Sequence, residues 1–442
     1  MFYNNPIYNF LLERKSSTEI SFIPESLWVG DPDNGKKIVD GFMNFNGESI
    51  VFDKQTWKKN KGSRSWNEEL FCFDWIKDVK ALGTNKARIF LRDNIREWLR
   101  LKNRWDPFSW ETKILSKRLC FLMSNMSFFY ETADESFQKK FAKSLNKQAI
   151  HLINVFKKKK LGSEKIFTAK AIIISALSFR NLSSKLKIGI KLLIDTLNSD
   201  IMEDGMHYLR SPSEQFIFLQ SLIDIKNYLG SSKIVIPKDL NENIYRIAST
   251  LKFFKIANGE LAIFNKFQYV ESYQVNEVLK RSNSKLKTPN TLSSSGFQRI
   301  NENRLTLIMD CGTPSIEKTH ASSLSFELSH GNEKIVVNCG SPFVNNKELN
   351  EAMRSTAAHS TVSIDNINSS DIFFEKNTTT RLAKVWSEKL ERDNNFWINS
   401  AHTGYKDLFG LIHNRKVHID SKNLIIRGQD YFSIPTKSYN LS

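Results

Sequence analysis

The chain changes its pattern of apolar and polar positions once, near residue 264. Before that point apolar side chains recur every three or four residues, as in Trp66, Leu70 and Phe73, which is the spacing of one face of an α-helix. Such runs extend from residue 63 to residue 254, with short Gly-, Asn- and Ser-containing connections between them. We predict helices over residues 110–130, 135–156, 164–180, 187–198, 213–229 and 240–254. Successive helical hairpins of this kind close into a bundle or an α/α toroid.

After residue 264 short alternating segments replace the helical spacing, and turn residues such as His330-Gly331-Asn332 separate them. Runs of about four to eight residues with β-branched side chains and Gly or Asn at their ends are typical of antiparallel strands. We predict strands over residues 305–309, 323–328, 334–338, 360–364, 382–386, 396–399, 416–419 and 424–426. The fold class is therefore α+β and multidomain, with a toroid or helical bundle over residues 1–275 and an antiparallel β-sandwich over residues 290–442.

Composition agrees with a folded chain and narrows the choice of partner. Hydrophobic residues make up 40% of the 442 residues and charged residues 25%, which excludes wholesale disorder. The formal net charge of +17 favours an anionic partner, namely nucleic acid, an acidic membrane surface or an acidic polysaccharide. The abundance of Lys, Asn, Ile, Ser and Phe offers a second explanation, coding bias in an AT-rich genome. Because no basic stripe or known nucleic-acid module is present, we do not expect a nucleic-acid partner.

Targeting and membrane segments are not evident in the sequence. The N-terminus lacks a basic segment followed by an apolar run of about 7–15 residues, so no signal peptide is predicted. No apolar stretch approaches the roughly 20 residues of a spanning helix, so we expect a soluble chain without a transmembrane segment. The four cysteines are scattered and contain no Cys-x-x-Cys pair, which indicates buried thiols.

Three segments of the predicted sandwich carry a family resemblance. They are THASSLSFEL (319–328), GNEKIVVNCG (331–340) and RSTAAHSTVSIDN (354–366). Together they resemble the β-sandwich of the heparinase II/III family of polysaccharide lyases. The segments NSAHTGYKDLFGLIHNRKV (399–417) and DGMHYLRSP (204–212) are similar to two further motifs of that family.

The resemblance implies an α/α toroid packed on a β-sandwich and the cleavage of an acidic polysaccharide or oligosaccharide by β-elimination. In relatives the sandwich continues beyond the last motif, so we expect this chain to be either a fragment or a shortened member. The resemblance also implies a location in the cell envelope or periplasm. The cytoplasm is the alternative, because the chain shows no signal peptide.

A β-elimination at a uronate needs a donor that neutralises the carboxylate, a base for the C5 proton and an acid for the leaving oxygen. His207, Tyr208 and Arg210 offer an imidazole, a phenol and a guanidinium on one turn, so we predict that they are catalytic. Tyr405 is the fourth predicted catalytic residue, because the family has a tyrosine at that position. The alternative for each is structural: Tyr208 packs on a helix, Arg210 pairs with a nearby Glu, or Tyr405 closes a corner of the sandwich.

Six of the eight histidines follow residue 319, and two of them match metal ligands of the family. The resemblance implies a structural zinc at His320, Asn338 and His359, where Asn338 stands in place of the family's aspartate. The alternative is a hydrogen-bonded histidine pair. His320 and Arg415 are also predicted to contact substrate.

These residues lead to two functional hypotheses. The first is a lyase that cleaves a uronate-containing polysaccharide, and the second is a non-catalytic protein that binds a glycan or a cell-envelope polymer and keeps the fold. Product formation from an acidic glycan distinguishes them, so the enzymatic assignment stays open at this stage.

Overall fold

Helices dominate the first part of the chain and strands the last, as the change in pattern predicts. The computed structural model describes residues 2–53, 56–58, 61–158, 161–314, 320–340, 346–372 and 381–435. The helices are α1 (Pro6–Lys15), α2 (Pro32–Val39), α3 (Arg64–Cys72), α4 (Ile76–Ala81), α5 (Asn85–Lys102), α6 (Thr112–Asn125), α7 (Ser127–Tyr130), α8 (Glu135–Val155), α9 (Lys165–Ser178), α10 (Leu186–Asp200), α11 (Pro212–Ser231), α12 (Lys238–Phe254), α13 (Ser272–Ser282), α14 (Lys347–Arg354) and α15 (Lys406–Phe409). The strands are β1 (Phe42–Phe45), β2 (Glu48–Val51), β3 (Thr291–Leu292), β4 (Phe297–Glu302), β5 (Leu305–Asp310), β6 (Phe326–His330), β7 (Glu333–Val336), β8 (Val385–Arg392), β9 (Asn395–His402), β10 (Ile412–Asp420) and β11 (Ile425–Ser433).

The residues group into two compact units according to which Cα atoms lie close together in space. The first unit comprises Met1–Asn198 and Ser221–Pro237, and the second comprises Ser199–Gln220 and Lys238–Ser442. Helix α11 contributes residues to both. The predicted domain limits of 1–275 and 290–442 stay predictions.

Short polar side chains begin several helices of the first unit. Ser63, Thr84 and Asp134 each accept a hydrogen bond from the backbone N–H three residues later, at the starts of α3, α5 and α8. Such caps satisfy N–H groups that have no partner within the helix. Helix α6 contacts α3, α8 and α9, and α8 also contacts α1 and α5. Among the described residues, no helix is long and apolar enough to span a membrane.

Aromatic side chains fill the core of the first unit. Trp57 stacks on Phe73 with ring centroids 5.4 Å apart, and the ring of Trp98 meets Phe73 edge-on at 5.2 Å. All three side chains are fully buried. Offset and edge-on contacts of this kind add about 0.5–1.5 kcal/mol beyond the burial of apolar area. The tryptophans at helical spacing therefore stabilise the helical core.

The second unit contains two antiparallel sheets that face each other. One sheet has the strand order β3-β4-β5-β6-β7 and the other the order β11-β10-β9-β8. Side chains alternate between the two faces of a strand. The inner faces of both sheets meet in one apolar core, formed by Ile300, Leu305, Leu307, Met309, Cys311, Leu324, Leu328, Phe396, Ile398, Val417 and Ile419. This core makes the two sheets a β-sandwich.

Helix α12 packs on the first sheet within the second unit. The ring of Phe254 lies 4.9 Å from that of Phe297 at the start of β4, and Phe264 lies 5.2 Å from the same ring. β5 is buried on both faces. Its residues Leu305, Leu307 and Met309 belong to the core between the sheets, so Asp310 points to the opposite face. This placement makes Asp310 available to the turn described below.

The two main differences from the predicted strands concern β4 and residues 360–364; the two-residue strand β3 was not predicted either. β4 was not predicted, because its sequence FQRINE alternates only weakly. The predicted strand at residues 360–364 is irregular, because hydroxyl groups of this segment bond to another backbone. The Ser360 hydroxyl donates to the Phe326 carbonyl (2.6 Å), and the Thr361 hydroxyl donates to the Ser323 carbonyl (2.9 Å). These bonds replace those of a regular strand ladder.

Candidate functional site

A tight turn between α10 and α11 carries three of the predicted catalytic residues. Gly205 has a φ of +85°, and a Cβ atom there would lie 2.8 Å from the side chains of Arg246 and Thr250. Only glycine meets both requirements without strain. The side chain of Gln215 holds the turn from within, because it donates to the Gly205 carbonyl (2.7 Å) and accepts from the His207 N–H (2.7 Å). The turn is thus a fixed element of the second unit.

The next part of the turn is tied to the sandwich by a buried ion pair. Arg210 bonds to the carboxylate of Asp310 and donates from Nε to the Ser295 carbonyl (2.8 Å). Its guanidinium lies 4.7 Å from the ring centroid of Phe297. A Cβ atom at Gly312 would lie 2.3 Å from the guanidinium, so glycine leaves room for this pair. The catalytic role predicted for Arg210 stays a prediction, and its observed partner is Asp310.

His207 and Tyr208 lie side by side on the same turn, with ring centroids 4.7 Å apart. His207 is buried, whereas Tyr208 is partly exposed. The Leu209 N–H donates to His207 Nδ1 (3.3 Å), so Nε2 carries the proton of the neutral ring. Tyr208 is therefore the member of the predicted catalytic set on this turn that solvent reaches.

A second cluster joins the three residues predicted to bind metal. His320 Nδ1 and His359 Nε2 are 3.3 Å apart, and His359 Nδ1 lies 3.3 Å from Asn338 Oδ1. The Asn338 amide group donates to the Ile263 carbonyl (2.9 Å), which identifies Oδ1 as the acceptor for His359. Burial lowers the pKa of His320 well below its usual value and that of His359 to about 4. Both rings are neutral at physiological pH.

Hydroxyl groups position His359 against His320. The Thr356 hydroxyl donates to the Ala321 carbonyl (2.8 Å), and the Ala321 N–H donates to the Arg354 carbonyl (2.9 Å). These bonds align the segment 354–361 along the segment 320–326. The spacing of Arg354, Thr356 and His359 in the sequence motif therefore matches the hydrogen bonds that bring His359 against His320.

Glu327 is a buried carboxylate beside this cluster. It accepts the backbone N–H of Asn338 at 2.9 Å. Burial raises its pKa to about 7, although the backbone hydrogen bonds from Asn338 and Ile263 act in the opposite direction. Glu327 therefore fixes the backbone that presents Asn338 to His359.

A third cluster lies in the other sheet, where His402 and His413 are paired across β9 and β10. The Gly404 N–H donates to His402 Nδ1 (3.0 Å), so His402 Nε2 donates to His413 Nδ1 (3.0 Å). His413 Nε2 then donates to Asp430 Oδ1 at 2.8 Å. Arg415 binds the same carboxylate through Nε (2.7 Å) and a terminal nitrogen (3.0 Å). Although burial acts to raise it, the hydrogen bonds from His413 and Arg415 hold the pKa of Asp430 below its usual value.

Tyr405 is fully buried beside the third cluster. Its hydroxyl donates to the Val362 carbonyl (2.9 Å) and lies 3.4 Å from the Ile367 carbonyl. Burial raises the pKa of the phenol. The remaining terminal nitrogen of Arg415 donates to the carbonyls of Leu324 (2.7 Å) and Ser360 (2.6 Å). The catalytic role of Tyr405 and the substrate contact of Arg415 stay predictions.

The segment 320–326 connects the three clusters. The Ser322 hydroxyl donates to the second carboxylate oxygen of Asp310 (3.4 Å), and Asp310 binds Arg210 on the turn. His320 itself belongs to the second cluster, and the Leu324 carbonyl accepts from Arg415 of the third. The residues predicted from sequence therefore fall into three linked groups.

Family models match nearly the whole chain. A model described as heparinase II/III N-terminus matches residues 56–285, and one described as heparinase II/III-like, C-terminal, matches residues 284–442. The chain belongs to the heparinase II/III family.

Among curated proteins, the chain is similar to FtsZ-localized protein C of Caulobacter vibrioides. The two are 25% identical over 417 residues, which make up 91% of this chain and 71% of that protein. The name of this similar protein states a location and no reaction.

Solved structures of the heparinase II/III family confirm the fold class. Heparinase III superimposes with a TM-score of 0.69 at 16% identity, covering 94% of this chain and 73% of that one. The heparan sulfate lyase HepC from Pedobacter heparinus gives a TM-score of 0.57 at 16% identity, covering 88% of this chain and 66% of that one. The chain thus spans about two thirds of the length of HepC. At these identities the likeness establishes the fold, a helical toroid with a β-sandwich, and nothing more.

The zinc implied by the heparinase II/III resemblance can be tested against the second cluster. The 3.3 Å between His320 Nδ1 and His359 Nε2 suits two ligands of one tetrahedral zinc at zinc–nitrogen distances of about 2.0–2.1 Å. The Asn338 oxygen lies instead against the other ring nitrogen of His359, and an amide carries no charge. In the described part of the chain, no group of three or more His, Cys, Asp or Glu side chains could hold a metal. Asn338 therefore does not complete a zinc site here; the metal assignment stays a prediction, and no reaction step is derived from it.

Sequence reasoning missed three carboxylates that organise these clusters: Asp310, Glu327 and Asp430. Asp310 ends the apolar strand LTLIMD, and Glu327 is the one charged residue of SFEL. A charged residue in a buried strand requires a partner, so both could have been singled out. Asp430 lies in the mostly exposed strand β11, and nothing local distinguishes it.

Proposed function

We propose that this protein binds a uronate-containing acidic polysaccharide and cleaves it by β-elimination. The observation that carries the proposal is the adjacent pair of His207 and Tyr208, 4.7 Å apart on a turn that Gln215 and Asp310 hold in place. The likeness to heparinase III and to a heparan sulfate lyase supports this class of substrate. The net charge of +17 favours a polyanion as partner.

The proposed reaction divides its proton transfers between the phenol and the imidazole. Tyr208 removes the C5 proton of the uronate and returns a proton to the leaving O4 oxygen. Tyr208 acts from its phenolate form, is a neutral phenol between the two steps, and is a phenolate again once O4 is protonated. His207 Nε2–H supports the phenolate before the first step and after the second. His320 contacts the substrate, and Arg210 keeps the turn in position through Asp310 while its positive charge favours the developing enolate.

The decisive experiment follows the ultraviolet absorbance of the unsaturated uronate product. Heparan sulfate, alginate, hyaluronan and chondroitin are incubated in turn with the full chain. We expect product from at least one of them, and we expect Tyr208→Phe to reduce the rate by about 10²–10⁴-fold because proton transfer is lost. Glycan affinity, measured by calorimetry, should change little, because the ring remains.

Tyr245→Phe is the matched control, because Tyr245 is also partly exposed in the second unit but lies outside the turn. It should leave the rate unchanged. A wild-type protein that binds glycan but yields no product from any of the four polymers contradicts the lyase proposal.

That outcome would favour the second candidate, a non-catalytic glycan-binding or envelope-polymer protein. Its support comes from the engaged side chains: Arg210 is paired with Asp310, and Tyr405 bonds to a backbone carbonyl. The similarity to an FtsZ-localized protein also fits a role defined by location. For this candidate we expect salt-sensitive glycan binding that Tyr208→Phe does not alter. A location in the cell envelope remains a proposal under both candidates.

A further inference from the structure

The first unit contains a cavity that none of the predicted site residues touches. It has a volume of about 540 Å³ and is lined by residues of α1, α5 and α8 and by neighbouring residues such as Asn103. Ligand sites for small molecules have volumes of about 300–1,000 Å³. The cavity is therefore large enough for a molecule the size of a mono- or disaccharide.

Positive charge dominates the lining of this cavity. Five cations, Arg96, Arg100, Lys140, Lys143 and Lys147, face two carboxylates, those of Glu13 and Asp134. The result is a surplus of three positive charges.

The cations of the cavity differ in their partners. Arg96 pairs with Asp134 (2.6 Å), and Arg100 pairs with Glu97. Lys140 and Lys143 form no ion pair with any residue that the structure describes. The two lysines therefore supply most of the charge that a ligand can use.

Lys147 is the buried lysine of the cavity lining. Its side chain is only 1% exposed, and its ammonium group lies 3.3 Å from the carboxylate of Glu13, whose side chain is 44% exposed. The ammonium also lies 5.8 Å from the ring centroid of Trp110. Burial lowers the pKa of Lys147. A single half-exposed carboxylate compensates a buried ammonium incompletely, so a second anion would stabilise it.

A buried guanidinium is linked to the cavity lining by a chain of hydrogen bonds. Arg118 is fully buried, and no carboxylate among the described residues is within ion-pair distance of it. Its Nε donates to Gln148 (2.7 Å), and Gln148 donates to the Ser144 hydroxyl (3.1 Å). Ser144 in turn donates to Asn103 Oδ1 (2.7 Å). Because the Asn103 oxygen accepts this bond, its amide N–H groups stay available as donors to a ligand.

We propose that this cavity binds the phosphate or sulfate group of a small polar molecule, with Lys147 as the anchor and Lys140, Lys143 and Asn103 as further donors. Lysine ammonium groups act as compact point charges without a preferred plane, which suits a tetrahedral oxyanion. The planar guanidinium groups of Arg96 and Arg100, which match planar carboxylates best, are already paired with Asp134 and Glu97. With the arginines engaged, the three lysines face one remaining carboxylate, that of Glu13, and the net charge of two matches a doubly charged group such as phosphate.

The test is calorimetric titration of the full chain at constant ionic strength. The probes are inorganic phosphate, inorganic sulfate, a hexose phosphate, and a sulfated disaccharide beside its unsulfated form. We expect saturable binding of the anionic probes and none of the unsulfated sugar. The tighter of the hexose phosphate and the sulfated disaccharide identifies the source of the oxyanion. Absence of saturable binding for every anionic probe at millimolar concentration overturns the proposal.

Variants locate the binding. Lys147→Met should weaken it by about tenfold or more, the loss expected for one hydrogen bond to a charged group. Lys143→Gln and Lys140→Gln, which alter less buried positions, should each weaken it by a factor of about three, typical of an exposed charge pair. Lys139→Gln is the matched control, because Lys139 lies on the same helix and pairs with Glu135 outside the cavity. Equal effects of the changes at 139 and 140 overturn the proposal, since they would indicate general attraction to a basic surface.

Glu13→Gln should change the affinity for the anionic probes in the opposite direction. Glu13 competes with a bound anion for Lys147, so removal of its charge should tighten binding by a factor of about three or more. Weaker binding in this variant contradicts the proposed anchor even if Lys147→Met fails to fold. Because no readout is enzymatic, failure here is independent of the result of the lyase assay.

Discussion

Two histidine pairs in the second unit have similar distances between their ring nitrogens, but each pair bonds to a different kind of side chain. We call His320 with His359 the site pair and His402 with His413 the sheet pair. The nitrogens are 3.3 Å apart in the site pair and 3.0 Å apart in the sheet pair. The site pair ends on the neutral amide of Asn338, whereas the sheet pair ends on a carboxylate.

The difference teaches how the same residue type can serve two purposes. The carboxylate of Asp430 holds His413 and Arg415 together, so each nitrogen of the sheet pair has a defined hydrogen-bond role. Within the described ranges the site pair has no such charged anchor, and His359 is partly exposed. Charge-assisted bonds are about twice as strong as neutral ones, so we infer that the sheet pair is structural and the site pair is the one suited to contact ligands.

Removal of the Asp430 carboxylate should have the largest effect on the stability of the fold. We expect Asp430→Asn to lower the free energy of unfolding by about 2–3 kcal/mol, because hydrogen bonds to charged groups are lost and Arg415 stays buried without a counter-ion. The side chain of Asp430 is 33% exposed, and solvent screening keeps the loss in this range. Urea unfolding followed by circular dichroism measures it.

Asn338→Ala is the matched change in the site pair and should cost only about 1–2 kcal/mol, the value of its two neutral hydrogen bonds, to His359 and to the Ile263 carbonyl. Equal losses for the two variants would contradict the distinction between the pairs.

The sheet pair should also make stability depend on pH. Burial, with the charges of His413, Arg415 and Arg381, lowers the pKa of His402 from 6.5 to about 3. Between these values the unfolded chain binds one proton more than the folded chain. The contribution of His402 is therefore fully present above pH 6.5 and is lost as the pH falls, by about 1.4 kcal/mol per pH unit.

Unfolding curves between pH 6.5 and pH 5 test this, because most carboxylates do not titrate in that range. His402→Gln should lower the number of protons taken up on unfolding by about one. An unchanged slope of stability against pH in this variant would show that His402 does not titrate as described.

A charge at position 338 should convert the site pair into a better metal site. We expect Asn338→Asp to raise zinc affinity by about tenfold or more, because a carboxylate that accepts from His359 Nδ1 orients the ring and makes the ligating Nε2 more basic. Competition with a chromophoric chelator at neutral pH measures the affinity. Asn338→Ala serves as the control and should show no gain. If wild-type protein and Asn338→Asp bind zinc equally, the amide is not what limits metal binding.

Much of the fold was predictable because local patterns report local structure. The three- and four-residue spacing around Trp66 and Leu70 reflects a helix face, and the alternation in β5 and β10 reflects strands with one face in the core. The prediction of a strand at residues 360–364 was wrong because Ser360 and Thr361 bond to the backbone of a neighbouring segment. No local sequence pattern indicates such bonds.

The candidate site was predictable only in part. The motif containing His320 and His359 was recognisable, and the two rings do meet. The partner of Arg210 was not, because Asp310 lies 100 residues away in the sequence. The structural alternative for Arg210 named a nearby Glu as its partner, and the observed partner is a strand-end carboxylate.

The sequence by itself determined which part of the chain is helical, which part forms strands and which family the chain resembles, since periodicity and motif spacing are properties of neighbouring residues. Tertiary structure alone decided which polar groups meet. Only folding brings an amide or a carboxylate against a histidine pair, and the charge of that partner sets how strongly the pair is held.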